Sequence, residues 1–458
     1  MKEIFIVGGG AAGVKLAEEL RNLGFESKIY LIEDRFLGGE CTNVGCIPSK
    51  ALFNFSKNFY KTQKNFNINI VLNPDSIFTN IRRVVNTIRK GIEDKLKKLE
   101  IDVIFNTAKF NNDKIIVSNK EYDYDVLALA TGSYPINILN LVKSDIKDDS
   151  KILDNRALWG DRLKDFLNDL AKGSRILIVG GGYIGLETAS LFSIFKKSLF
   201  YVIELADRIL PNADKEISTE LFKHLNKDNV NIFISSKLVE IKQNNDSYLV
   251  IFEREGKLEQ LEVDYIVSAI GRKPNLPLEL INKSNVNETY INDSYFDNNL
   301  RLKASKKLIF GLGDVTSLKM LAHKAEYQAK IVAKNIIDYF YKNKLSYEYT
   351  LNIESLMPGV VFTIPQVAFY GLTEDEARNK LNNNVIVRKA YFSANPKAIA
   401  ELDRIGFVKI IYNNLGEILG AHMIGNDVDL LVSVLLSYHS EVVVFPHPTL
   451  AEILNELI

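Results

Sequence analysis

Lys2-Glu-Ile-Phe-Ile-Val-Gly8-Gly-Gly10-Ala-Ala-Gly13 is an apolar run that breaks into a glycine-rich turn, after which Leu16, Leu20 and Leu23 recur at helical spacing. Gly24 supplies a helix end, and Ser27 to Ile32 reads as a second strand closed by Glu33. Strand, tight turn, helix, strand and acid is an order that suits a dinucleotide. Gly8, Gly10 and Gly13 let the backbone turn sharply and approach a pyrophosphate at the helix N-terminus, while Glu33 accepts hydrogen bonds from a ribose diol.

Three glycines alone mark any tight strand-to-helix turn, so the repeat of the whole order matters. It returns as Arg175-Ile-Leu-Ile-Val, then Gly180, Gly182 and Gly185, a helix carrying Ile184, Thr188, Leu191 and Phe195, and Glu204 at the end of the next strand. A second echo supports the duplication: Asp125-Val-Leu-Ala-Leu-Ala-Thr-Gly132 and Asp264-Tyr-Ile-Val-Ser-Ala-Ile-Gly271 each read as a buried strand closing its domain. Two copies imply two dinucleotides and an α/β fold with two Rossmann-like domains.

The 458 residues allow about three domains at roughly 150 residues each. Hydrophobic residues at 47% and charged residues at 25% are those of ordinary globular chains, which argues against disorder. The 57 basic residues cancel the 57 acidic ones, removing the footprint of a nucleic-acid binder or a membrane-surface protein. No stretch reaches the roughly 18 uninterrupted apolar residues of a spanning helix. Glu3 and the triple glycine do not suit a signal peptide, so a cytoplasmic protein acting on small molecules is expected.

Between Lys57 and Leu99 the chain reads as mostly helical, with Ile77, Ile81, Val84, Val85, Ile88 and Ile92 on one packing face. After Ser346 the pattern changes to Val360-Val-Phe-Thr-Ile-Pro365 and to strands over Gly406 to Tyr412 and Leu419 to Ile424, predicting an α+β domain. Val428 to Tyr438 is apolar on most faces, a helix either deeply buried or covered by another subunit, of which the second is preferred. Asn- and Lys-rich stretches at 111–121, 282–299 and 382–384 read as surface connections or hairpin turns.

Cys41 and Cys46 are the only cysteines. Zinc wants four ligands and the nearest histidine in sequence is His224, so no metal is expected. A disulfide closing so short a loop constrains the chain very little, which favours a redox pair over a structural bridge. An inert thiol pair is the alternative. Against it, Pro48 fits the first turn of a helix, placing Cys46 near an N-terminus where the dipole stabilises thiolate, so Cys46 is expected to be the more acidic thiol.

With these pieces the chain resembles the dihydrolipoamide dehydrogenases of the FAD-dependent pyridine nucleotide-disulfide oxidoreductase family. The matching motifs run from Gly39-x-Cys41-x-Asn43-x-Gly45-Cys46-Ile-Pro-Ser-Lys50 through Gly180-Gly-Gly-Tyr-Ile-Gly-Leu-Glu187, Gly311-x-Gly313-Asp314-Val315 and Met320-Leu-Ala-His-Lys-Ala-Glu326 to His447-Pro-Thr-Leu-Ala-Glu452. The resemblance implies an FAD-binding domain at 1–148, an NAD-binding domain at 149–271, a central segment at 272–346 that completes the FAD domain, and an α+β dimerisation domain at 347–458. It implies that Cys46 lies against the flavin and that Cys41 exchanges with a dithiol or disulfide substrate. By the same resemblance Lys50 sits near the flavin and pairs with Glu187, for which an ordinary ion pair is the alternative. Asp314 is then expected to bind the FAD ribityl chain, Ala108 and Ala322 to offer backbone contacts, Gly132, Val239 and Gly271 to line the nucleotide sites, and Tyr183 to cover the flavin until NAD displaces it.

His447 lies between two prolines and Glu452 follows closely, which read blandly is a rigid surface loop. Thiol-disulfide exchange needs a base at neutral pH, and a histidine polarised by a carboxylate serves. The resemblance makes His447 with Glu452 that base, acting on the cysteines of the other subunit of a homodimer, with its proline peptide cis. The activity implied is oxidation of dihydrolipoyl groups with NAD as acceptor; reduction of another small disulfide such as glutathione or coenzyme A disulfide by NAD(P)H is the alternative. Glu204 favours NAD, since it repels a 2′-phosphate by ~4 kcal/mol per charge pair at ~4 Å, although Arg208 lies near enough to accommodate one. A chain starting at the FAD strand leaves no room for an N-terminal lipoyl domain, so a separate lipoylated carrier is expected. Glu40, Gln366, Lys397, Asp429 and Phe445 depart from the usual lipoamide pattern. Glu40, standing where threonine or valine is common, is expected to add negative charge beside Cys41 and raise its pKa.

Overall fold

In the computed structural model of the chain, the opening apolar run becomes the strand Glu3–Val7, buried from Ile4 onward. It is the middle strand of a parallel sheet in the order Leu308–Gly311, Val126–Leu129, Glu3–Val7, Lys28–Glu33, Asp102–Phe105. The helix Ala11–Asn22 buries Leu16, Ala17 and Leu20 against it, and stops where Gly24 takes a φ of 81°. Arg175–Val179 is likewise the middle strand of a second parallel sheet, ordered Ile152–Leu153, Tyr265–Ser268, Arg175–Val179, Leu199–Ile203, Val230–Phe233.

The two copies agree bond by bond. Gly8 N donates to Ile32 O and Gly180 N to Ile203 O, both at 2.8 Å; Ala130 N donates to Val7 O and Ala269 N to Val179 O, again at 2.8 Å. The paired aspartates have a job in this scheme. Glu3 N donates to Asp125 Oδ2 at 2.9 Å and Arg175 N to Asp264 Oδ2 at 2.7 Å, so each carboxylate satisfies the amide at the head of the neighbouring strand.

Residues 2–66, 68, 70–111, 114–280, 295–303, 305–316, 319–437 and 444–458 are described. They fall into two units: Met1–Pro48, Thr79–Ile136 and Gly271–Glu354 form the first, and Ser49–Phe78, Asn137–Ile270 and Ser355–Ile458 the second. Besides its parallel sheet, the first unit holds a small antiparallel sheet over Lys109–Asn111, Lys114–Val117 and Lys120–Tyr122, the hairpin material expected at 111–121, and the two-stranded pair Ser133–Pro135 with Arg272–Pro274. The second unit adds the sheet Lys257–Val263, Ser247–Arg254, Ser236–Asn244, Lys143–Asp145, and an antiparallel C-terminal sheet ordered Gly359–Val361, Gln366–Gly371, Ile418–Gly425, Phe407–Asn413, Val385–Tyr391. The helix Val428–Leu436 covers that last sheet with Val428, Leu431, Val432 and Leu435, while Leu430 is 64% exposed. Its apolar surface is thus divided between this chain's own core and an open face.

Several local expectations need correction. Val84 does not share the buried face of the helix Pro74–Lys98: Ile77, Ile81 and Val85 are buried, and Val84 lies at the edge of that stripe, turned to solvent. Phe195 is buried but lies beyond the end of the helix Tyr183–Phe192. Asn382 and Asn383 form the predicted turn with φ of 49° and 65°, whereas residues 112–113, most of the 282–299 stretch and Tyr438 lie outside the described residues.

In the second unit a buried lysine gathers three carboxylates, of which Asp214 is buried with it and Glu216 is open to solvent. Lys409, on the strand Phe407–Asn413, reaches Asp214 at 2.9 Å, Glu374 at 2.6 Å and Glu216 at 3.3 Å. In the same unit Phe362 N donates to Glu187 Oε1 at 3.0 Å and Ile364 N to Ser190 Oγ at 2.9 Å. Among the described residues no helix is long and apolar enough to cross a membrane.

Candidate active site

Each glycine turn is tied to its own glutamate. Gly9 N donates to Glu33 Oε2 at 2.7 Å and Arg35 N to Glu33 Oε1 at 2.9 Å; in the second copy Gly181 N donates to Glu204 Oε2 at 2.5 Å and Ala206 N to Glu204 Oε1 at 2.7 Å. Burial raises the Glu33 carboxyl above its ordinary range, opposed by the two backbone N–H donors. A methyl group on Gly13 would lie 1.9 Å from the Gly8 carbonyl oxygen, and one on Gly185 equally close to that of Gly180, so both helices approach their strands only because these positions lack a Cβ. Gly10 and Gly182 are the N-caps of their helices and offer no side-chain cap, and a Cβ at Gly182 would meet nothing within 4 Å. The first-turn amides of both helices are left for an anion, which is the fit a pyrophosphate requires. Arg208, the residue that weakened the choice of NAD, donates to Pro211 O at 2.9 Å.

The remaining predicted nucleotide residues follow the two sheets. Gly132 and Gly271 come just after the closing strands with φ of 71° and 108°. Val239 sits at a bulge of Ser236–Asn244, where the register against the next strand shifts between Leu238 and Glu240. Ala108 precedes the strand Lys109–Asn111, and Ala322 is the first residue of the helix Ala322–Lys342. Asp314 lies in the 3₁₀ turn Gly313–Val315 and accepts from Ser133 Oγ at 2.7 Å.

The thiol loop folds as two helices, the first of which the spacing did not predict. Cys41 is half-buried in Gly39–Val44, and Cys46 is exposed as the first residue of Cys46–Phe66, with Lys50 one turn further on. Gly45 breaks the path between them. Asn43 holds the loop, donating to Leu37 O at 3.0 Å and Gly39 O at 2.7 Å, and its carbonyl accepts from Arg89 at 2.6 Å and 2.9 Å. Arg89 was missed because nothing in a helical pattern marks which arginine turns inward. Glu40 does not stand beside Cys41 as a bare charge, because Arg272 lies on it at 2.5 Å.

In the second unit Lys50 Nζ meets both oxygens of Glu187, at 3.0 Å and 2.9 Å, and lies 4.3 Å from the centre of the Phe362 ring. Tyr183 opens its helix and stacks on Phe369 with ring centres 6.1 Å apart; burial pushes its hydroxyl up to about 12. Two departures answer each other: Gln366 Nε2 donates to Asp429 Oδ1 at 3.1 Å, and Gln366 Oε1 accepts from Asp427 N at 2.8 Å.

His447 is 70% exposed, follows Pro446 and forms a cis peptide with Pro448. Its Nδ1 is 2.8 Å from Glu452 Oε1, while Glu452 Oε2 accepts from Thr449 N at 2.7 Å. The Thr449 N–H and then His447 hold the Glu452 carboxyl below its ordinary range, so it is ionised at neutral pH. An ionised acceptor at Nδ1 keeps the proton there and leaves Nε2 basic. Among the described residues no group of three or more His, Cys, Asp or Glu side chains is placed to hold a metal ion.

Residues 2–329 match the pyridine nucleotide-disulphide oxidoreductase family, and residues 357–458 match its dimerisation domain. The chain belongs to this family. As a pyridine nucleotide-disulphide oxidoreductase it is an enzyme of dithiol–disulfide exchange that uses FAD and NAD, and its dimerisation domain supports a homodimer. It is 31% identical to a dihydrolipoyl dehydrogenase of Buchnera aphidicola subsp. Schizaphis graminum, over 98% of this chain and 93% of that one. To a dihydrolipoyl dehydrogenase of Corynebacterium glutamicum it is 30% identical, over 99% and 96%. Among solved structures it resembles the HOCl-induced flavoprotein disulfide reductase RclA from Escherichia coli, with a TM-score of 0.79, 25% identity and 99% of both chains covered.

Proposed function

We propose that this oxidoreductase is a dihydrolipoamide dehydrogenase that acts in the cytoplasm as a homodimer on lipoyl groups of a separate carrier protein. The reading is carried by His447 and Glu452 at 2.8 Å, a basic histidine on an exposed loop, together with a cysteine pair and full-length relatives named dihydrolipoyl dehydrogenase. In it residues 1–148 and 272–346 form the FAD domain, 149–271 the NAD domain and 347–458 the dimerisation domain, with the open face of Val428–Leu436 turned to the second subunit.

His447 Nε2 of one subunit takes a proton from a dihydrolipoyl thiol. The thiolate attacks Cys41 of the Cys41–Cys46 disulfide, the S–S bond breaks, and Cys46 leaves as thiolate. The second dihydrolipoyl thiol then displaces Cys41 from the mixed disulfide, its proton passing to the departing Cys41 sulfur, which releases lipoyl disulfide and leaves Cys41 as thiol and Cys46 as thiolate. Cys46, at the N-terminus of its helix, is stabilised as the thiolate that holds the electron pair. FAD, when bound, would supply the acceptor for that electron pair and NAD the hydride acceptor, chemistry that belongs to the cofactors. Asp314, Ala322 and Ala108 would hold FAD, Gly132, Val239 and Gly271 would line the nucleotide sites, and Lys50 with Glu187, and Tyr183, would be the side chains that serve the flavin.

A second reading, reduction of another small disulfide, is favoured by the likeness to RclA. The purified protein is assayed for NAD-linked oxidation of dihydrolipoamide, with NADP in parallel, and for NADH oxidation with glutathione and coenzyme A disulfides. Rapid NADH formation with dihydrolipoamide supports the first reading. Turnover of another disulfide without lipoamide activity transfers the function to the second.

A further inference from the structure

Four side chains from separate stretches of the first unit form one run of hydrogen bonds. The pairing of Arg272–Pro274 with Ser133–Pro135 lays the Arg272 guanidinium along Ser133, where Nε donates to Ser133 Oγ at 2.8 Å and Nη2 to the Ser133 carbonyl at 3.0 Å. Nη2 also donates to Glu40 Oε2 at 2.5 Å. Because Ser133 Oγ accepts from Arg272, its single proton is committed onward, and it donates to Asp314 Oδ2 at 2.7 Å. The run starts on the residue before Cys41 and ends on the carboxylate assigned above to the FAD ribityl chain.

Glu40 and Arg272 are mostly buried, at 27% and 14% side-chain exposure, so their charge-assisted bond is less screened than a surface pair. The threonine or valine common at this position in the resembled enzymes cannot form it. We propose that Glu40 is a positioning residue for the flavin: by holding Arg272 against Ser133 it fixes the direction of the bond from Ser133 to Asp314, so that FAD affinity depends on a side chain of the thiol loop. The proposal rests on the reading of Asp314 as an FAD ligand.

The full chain is stripped of flavin and titrated with FAD, following fluorescence quenching and the visible circular dichroism of the bound flavin. Glu40→Thr and Arg272→Met are each expected to weaken FAD binding about tenfold. The double variant should be no weaker than the weaker single one, because both break the same run. Glu40→Gln, whose amide oxygen still accepts from Nη2, should recover affinity to within about threefold of the parent and restore the flavin dichroism. Asp314→Ala is the reference. If it weakens FAD binding while Glu40→Thr does not, or if the losses in the double variant multiply, the coupling is overturned; if Asp314→Ala itself binds FAD normally, the underlying assignment of Asp314 fails instead.

Discussion

Replacing Glu452 by glutamine tests the catalytic reading at its most defined point. The carboxylate serves two donors at once, His447 Nδ1 through Oε1 and Thr449 N through Oε2. An amide has one accepting oxygen, so the variant must choose. If the oxygen stays on Thr449, the NH₂ group faces Nδ1 and forces the ring proton to Nε2, which can no longer act as a base. If the oxygen turns to His447, two N–H groups oppose each other at Thr449 and the loop is disturbed. General base catalysis is worth about 10²–10⁴ in rate, and the first arrangement forfeits most of it, giving an expected loss of about a hundredfold to a thousandfold in dihydrolipoamide oxidation. The assay separates two half-reactions: reduction of the enzyme by dihydrolipoamide in a stopped-flow experiment, and NADH oxidation with an artificial electron acceptor, which bypasses the base. The loss should fall on the first alone. Equal losses in both, or an undiminished first half-reaction, would refute the assignment of His447 and Glu452.

Other outcomes follow from the same geometry. Cys46→Ser should abolish the long-wavelength thiolate-to-flavin absorbance of the two-electron-reduced enzyme while FAD stays bound, and a surviving band would make Cys41 the flavin-side thiol. Glu204→Gln removes the charge that opposes a 2′-phosphate and should raise the ratio of NADP to NAD specificity constants about tenfold or more, measured from steady-state kcat/KM for each cofactor. Lys409→Met strands the buried Asp214 carboxylate and should lower stability in thermal or urea unfolding by about 3–5 kcal/mol near neutral pH. Burial is the largest influence and favours neutral Asp214 and Glu374, but Lys409 together with the Glu374 N–H on Asp214 and Arg378 on Glu374 outweighs it and holds both carboxyls below their ordinary range. Their contribution is therefore fully present above the ordinary carboxylate pKa and is lost as pH falls through the lowered one, and the variant should show a shallower acid destabilisation than the parent.

The terminal glutamates and the paired aspartates were legible only because the whole order occurs twice, whereas the glycine turns were legible because a tight strand-to-helix turn is dictated by local backbone geometry and leaves a spaced pattern. The cysteine helix was legible from Pro48 for the same reason, and His447 with Glu452 from their closeness along the chain. Arg272 opposite Glu40 was not, since the two lie far apart in the chain and meet only in the folded unit. Gln366 and Asp429 looked like two separate departures for a similar reason: their hydrogen bond exists only once strand and helix are packed. Val84 failed at the rim of a helical stripe, where period alone does not decide exposure.

The ties at Phe362, Ile364 and Lys409 bear on modularity. Cutting the chain near residue 347 looks, from the repeated strand-turn-helix pattern, like a clean excision of a C-terminal module. It would instead strip Glu187 of the Phe362 amide, Ser190 of the Ile364 amide and Asp214 of the Lys409 ammonium. The helix that starts at the second glycine turn is thus finished by residues from the far end of the chain, and Lys50 meets a carboxylate whose orientation those residues help set. A C-terminal part cut away from this chain would therefore leave behind three polar groups without the partners that satisfy them, and the excised boundary would have to fall elsewhere.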